Sequence, residues 1–126
     1  MLVGLEKGKV QSFTGLVAWQ EGHRLVLQVY AITVAFPAKE QFILTSQICR
    51  AAISVTSNIA EGFGRSTAKD KEHFFTMANG SLYEVKNQLI IARDSGYIAK
   101  EQFDAVVEQA NVTHKLLHGL LRSHKT

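Results

Sequence analysis

The sequence predicts an all-α fold, an up-down-up-down antiparallel four-helix bundle. Three observations predict it. Apolar residues recur at steps of three and four through four long segments. Only three short breaks separate them: Phe36-Pro37-Ala38-Lys39, Gly62-Phe63-Gly64-Arg65-Ser66 and Ser95-Gly96-Tyr97. The 126 residues contain a single proline. Short connections between long amphipathic helices make sequence neighbours antiparallel, and four such helices close a bundle.

The first segment, 16–36, carries Leu16, Trp19, His23, Val26, Tyr30 and Thr33 on one stripe and Leu25, Val29, Ile32 and Phe36 on another. Pro37 stops it, because the residue before a proline is pushed out of the α region. The second, 40–63, aligns Leu44, Ile48, Ala51, Val55, Ile59 and Phe63. The third opens on Thr67-x-x-Asp70, a pattern resembling a capping box, and runs through Phe74, Ala78, Leu82, Val85, Leu89 and Ala92. Gly96 suits the left-handed residue that ends a helix. The fourth, 99–122, repeats the pattern with Phe103, Val106, Ala110, Thr113, Leu117 and Leu120. Asn79-Gly80 lies inside continuous helical periodicity, so Gly80-Ser81 reads as small residues at a close helix approach rather than as a hairpin turn. The domain is expected over 13–124, with 1–12 as an N-terminal tail.

Composition narrows the function classes. Hydrophobic residues make up 46% and charged residues 20%, as in a soluble globular chain. No stretch approaches the ~20 apolar residues that span a membrane, and 1–12 lack the apolar run of a signal peptide. A cytoplasmic protein without membrane contact is expected. The lone Cys49 excludes an internal disulfide framework and any cysteine-based zinc site. No phosphate-binding loop, dinucleotide fingerprint or serine nucleophile elbow is present. No cofactor or metal is expected, and the chain does not read as an enzyme.

The second segment has more apolar residues than one core stripe uses. Phe42, Cys49, Ile53, Thr56 and Ala60 form a second seam, which either widens the core face or meets another subunit. Polar residues Gln47, Arg50, Ser54, Asn58, Glu61 and Arg65 step along a further stripe. One reading is an active groove with Glu61 as a base and Arg50 as an anion clamp. The reading favoured here is a structural polar network or subunit contact of Gln47, Arg50, Ser54, Asn58 and Glu61, because no nucleophile or second acid accompanies them. His114 and His118 have the spacing of a two-histidine metal pair. Their helix face also carries Glu108, Asn111, Lys115 and Arg122, so it reads as solvated surface. His23 reads as a core or boundary histidine, and Cys49 as a small packed hydrophobe.

Four ordered motifs carry a resemblance: Val17-Ala18-Trp19-Gln20; Phe36-Pro37-x-x-Glu40; Leu44-Thr45-Ser46-Gln47-Ile48-x-Arg50-Ala51-Ala52; and Ser57-Asn58-Ile59-Ala60-Glu61-Gly62-Phe63-Gly64-Arg65. With Ala78-x-Gly80-Ser81-Leu82-x-Glu84 and Gly96-Tyr97-Ile98, the chain from about 13 to 121 resembles the four-helix bundle family of bacterial ribosomal-RNA intervening-sequence proteins. Members are encoded within insertions in large-subunit ribosomal RNA genes and elsewhere in bacterial genomes. Cys49 stands where the first of two paired arginines is usual, and Thr56 where proline is frequent. The resemblance implies a homopentameric, ring-like barrel of bundles. Related accessory proteins of diversity-generating retroelements form such barrels and bind nucleic acid and a reverse transcriptase, so the partners implied are self, RNA or DNA, and a linked reverse transcriptase. Fold transfers well across such a likeness; function does not.

Charge segregates along the bundle. Net charge is +3 and the sequence pI about 9.1. Both termini and the second connection share one end, which collects Lys7, Lys9, Arg65, Lys69, Lys71, Arg122 and Lys125 against Glu6, Asp70 and Glu72. The other end has Lys39, Arg93 and Lys100 against Glu40, Asp94, Glu101 and Asp104. Lys115 adds a cation on the fourth segment. The candidate nucleic-acid-binding residues are therefore Lys7, Lys9, Arg65, Lys69, Lys71, Lys115, Arg122 and Lys125, contacting backbone without reading bases. No RNA-stacking aromatic motif is present. The other expectation is a protein-interaction scaffold for a linked partner.

Overall fold

The computed structural model describes residues 10–123. After a short 3-10 turn, Phe13–Gly15, come α1 (Val17–Thr33), α2 (Leu44–Phe63), α3 (Ala68–Asp94) and α4 (Lys100–Ser123). No strand occurs among the described residues. Helix α1 packs on α2 and α4, and α3 packs on the same two, so α1 and α3 stand diagonally opposite, as do α2 and α4. This is the four-helix bundle that the periodicity requires.

Local chemistry sets the boundaries. Thr67 accepts the Asp70 N–H at 3.1 Å and caps α3. Gly96 takes φ +79° after α3, and the Tyr97 N–H returns to the Ala92 carbonyl at 2.9 Å. At the same end the Tyr97 hydroxyl donates to Glu40 Oε2 at 2.8 Å, while Glu40 Oε1 accepts the Leu44 N–H at 3.3 Å. One carboxylate thus ties the first connection to the third. Helix α1 stops at Thr33, before the expected 36, because the chain turns through Val34–Pro37 into a second 3-10 turn, Ala38–Glu40.

The core is one continuous cluster. Leu25, Val29, Ile48, Ile59, Leu82 and Leu117 are completely buried, along with smaller neighbours; burying each Leu, Ile or Val side chain favours folding by about 1.5–3 kcal/mol. Three details depart from the sequence reading. On α1 the buried residues are Ala18, Gly22, Leu25, Val26, Val29 and Ile32, continued by Phe36 beyond its end, whereas His23, expected at the core or its boundary, is exposed and its ring stacks on Trp19 at 4.8 Å. Small Ala18 and Gly22 bring α1 in; a Cβ on Gly22 would lie 3.1 Å from Thr56 Cγ2. On α3 the sealed ring is Phe75, at 1% exposure, with Phe74 half-buried. Gly80 is exposed with open space around it, so only Ser81 of that pair sits at the α2–α3 contact, donating to Ser54 Oγ at 2.9 Å.

The second seam of α2 divides. Thr56 is buried against α1, and Cys49 is half-buried with its sulfur 3.9 Å from Thr33 Oγ1. Ala60 is half-buried. Ile53 and Phe42 remain exposed, Phe42 at 84%. Leu27 on α1 and Val34 just after it are exposed apolar residues that the periodicity does not single out, and Tyr30, expected on an apolar stripe, is 47% exposed.

Candidate nucleic-acid interface

The candidate cations lie where α2 ends, α3 begins and α4 ends. Gly62, Phe63 and Gly64 close α2, and the chain re-enters α3 four residues later. Arg65, in that turn, pairs through Nη2 with Glu61 Oε2 at 2.5 Å, and its guanidinium sits 4.5 Å above the Phe74 ring. Lys71 turns inward. Its Nζ donates to the Phe63 carbonyl at 2.8 Å and the Gly62 carbonyl at 3.3 Å, satisfying the C-terminal end of α2, where the helix dipole favours a cation. Lys69 and Arg122 are exposed and make no ion pair among the described residues.

Lys115 lies farther up α4. Lys115, His118 and Arg122 step by three and four, so they share a face of α4 that runs toward this end. Lys115 also borders a shallow depression with Glu108, Asn111, Val112 and Leu116. Lys7, Lys9 and Lys125 lie outside the described residues. The N-terminus of α3 opens at this end, and its exposed N–H groups favour anions.

The polar stripe of α2 serves several ends. Asn58 Nδ2 donates to the Ser54 carbonyl at 2.9 Å and to Ser54 Oγ at 3.0 Å. Because Ser81 donates to the same Ser54 hydroxyl, Asn58, Ser54 and Ser81 form a chain between α2 and α3. Glu61 belongs to Arg65. Gln47 and Arg50 are exposed and lie outside that chain. Gln47 lines an open groove of about 360 Å³ between α2 and α3, near the opposite end of the bundle, with Ile43, Leu44, Gln88 and Ile91.

One expectation is corrected. His114 is not on the solvated face: it is buried, at 6% exposure, and only His118 faces out. Their rings lie 5.2 Å apart. A four-residue step on a helix whose core face is wide puts one residue at the boundary and the other outside. Among the described residues no cluster of three or more His, Cys, Asp or Glu could hold a metal ion. Gln109, also buried, donates to the Glu21 carbonyl and to Glu21 Oε1, both at 2.8 Å, joining α4 to α1. That hydrogen bond holds the Glu21 carboxyl below the usual range, with Arg24 adding to it and burial opposing. Nothing in the spacing of these residues signals the link.

Residues 14–119 match the family described as 23S rRNA-intervening sequence protein. The chain belongs to that family. A solved structure from Bacteroides thetaiotaomicron, a protein with unknown function from the S23 ribosomal protein family, has the same fold with TM-score 0.77 at 19% identity. The likeness covers 84% of this chain and 96% of that one. No match is found among curated proteins. Among the described residues of this intervening-sequence protein, no helix is long and apolar enough to cross a membrane.

Proposed function

We propose that this intervening-sequence protein is a non-enzymatic, self-associating cytoplasmic protein that binds nucleic-acid backbone, RNA or an RNA–DNA hybrid, through the basic end of its bundle. The observation that carries the reading is the contrast between the ends. At the far end Lys100 is paired with Asp104 at 2.7 Å and Arg93 with Asp94 at 2.9 Å, which leaves Lys39 as the cation there without an ion pair among the described residues. At the basic end Lys69 and Arg122 have no such partner among the described residues, and Arg65 pairs with Glu61. Exposed, unpaired cations beside a helix N-terminus suit phosphate oxygens.

Self-association would repeat that end around a ring, the homopentamer that the family resemblance implies. Support comes from exposed apolar side chains on neighbouring helices, Leu27 and Tyr30 on α1, Val34 just after it and Ile53 on α2, with Phe42 just before α2. Apolar surface left exposed on a small bundle favours contact with protein. A ring turns a few charges per subunit into a band, and the salt dependence of binding grows with each phosphate contacted.

A second reading, a scaffold for a genetically linked partner such as a reverse transcriptase with no nucleic-acid binding of its own, draws on the groove bordered by Ile43 and Ile91, both exposed. Arg65→Glu/Lys69→Glu/Arg122→Glu separates the two. With helicity retained by circular dichroism, loss of RNA binding supports the first reading; undiminished RNA affinity removes the basic end from it.

A further inference from the structure

Away from the basic end, α3 and α4 bring together two titratable groups that nothing above uses. Lys86 Nζ lies 2.7 Å from His114 Nδ1. Lys86 is half-buried and His114 buried. Facing the pair are the Tyr83 ring on α3, 4.6 Å from the His114 ring and 5.6 Å from Nζ, and His118 on α4. Among the described residues no carboxylate forms an ion pair with either group. The neighbours along the chain, Glu84 and Lys115, are exposed.

We propose that Lys86 is a reactive amine, a modification site that takes an acyl group from an acyl phosphate, with His114 Nδ1 orienting the amine by accepting a hydrogen bond from it. Three features of the site make a lysine nucleophilic. An ordinary lysine is almost wholly protonated at neutral pH. Here burial favours the uncharged amine and pushes Lys86 below its usual range. No carboxylate holds the ammonium in place. Burial, then Lys86 and then His118, push His114 down to about 4, so the ring is a neutral acceptor at Nδ1. Its proton then sits on Nε2, which is buried without a partner among the described residues.

In the step itself the Nζ lone pair attacks the acyl carbonyl carbon and forms the C–N bond. The bond from that carbon to the bridging oxygen breaks, and phosphate leaves with the electron pair. One Nζ proton leaves to solvent, while His114 Nδ1, a neutral hydrogen-bond acceptor, orients the amine. The amide formed retains an N–H that can donate to His114 Nδ1, so the product keeps the hydrogen bond and sheds a half-buried charge.

The test is acetylation of the full chain by acetyl phosphate at pH 7.5, with occupancy of each lysine followed by peptide mass spectrometry. Burial lowers the Lys86 pKa and so raises the fraction of neutral amine, and Lys86 is expected to acetylate several-fold faster than Lys39, which is exposed and without an ion pair among the described residues. In His114→Phe its rate should fall toward that of Lys39. Equal rates in the native protein, or a fast Lys86 unaffected by His114→Phe, overturn the proposal. Should His114→Phe not fold, the pH dependence of labelling in the native protein decides: a Lys86 midpoint below that of Lys39 supports it, and coincident midpoints overturn it.

Discussion

The Phe75 ring lies so close to the backbone of Gly62 that a Cβ there would come within 2.6 Å of Cε1 and 2.8 Å of Cδ1. Both residues are buried, Phe75 at 1% exposure. This pair sets how closely α2 and α3 meet just before the turn that carries Arg65. Gly62→Ala should therefore destabilise the protein by about 1–3 kcal/mol through overpacking, despite the ~1 kcal/mol that alanine gains over glycine in a helix. Urea denaturation of Gly62→Ala, Phe75→Leu and the double variant checks it. The double variant should be more stable than the two single losses added together.

Gly80 is the contrasting case. Its Cα faces open space within α3. Gly80→Ala should stabilise by about 0.5–1 kcal/mol through helix propensity alone. A lower urea midpoint would mean that the position is covered in the assembled protein.

His114 makes stability depend on pH. Its folded value, about 4, lies below the usual 6.5, so between them the unfolded chain binds more protons. Its contribution to stability is therefore intact above pH 6.5 and is lost as pH falls toward 4. From pH 7 to 5 the loss should be about 2 kcal/mol, and His114→Phe should lack that part of the slope. Urea midpoints of both proteins at the two pH values give the answer; parallel slopes would contradict it.

Leu27, Tyr30 and Val34 recur at steps of three and four along α1 and just past its end and are 53%, 47% and 85% exposed. Leu27→Glu/Val34→Glu should leave the monomer fold intact and shift the protein to monomer in sedimentation velocity. An unchanged oligomer would place the contact elsewhere.

Much of this was legible in the sequence because long amphipathic helices declare themselves by period. The Thr67 cap and the Gly96 terminator were read at their observed positions, since each rests on local backbone chemistry. What escaped was set by tertiary packing. Ala18 and Gly22 rather than Trp19 and His23 mark the buried line of α1, because small residues define where helices approach closely. His114 looked exposed by spacing, and only the arrival of α3 with Tyr83 and Lys86 buries it. The candidate cations were identifiable as charges, but their engagement was not: Lys71 belongs to the α2 carbonyls and Arg65 to Glu61, which leaves Lys69, Lys115 and Arg122 as the more available ones among the described residues.

The most direct measurement is fluorescence-anisotropy binding of the native protein to duplex and single-stranded RNA and DNA between ~50 and 200 mM salt, where contacts to phosphate weaken in proportion to their number. The account predicts affinity that falls linearly with the logarithm of salt concentration, with little preference among base sequences. Negligible binding at the lowest salt would contradict it and turn the search to a protein partner.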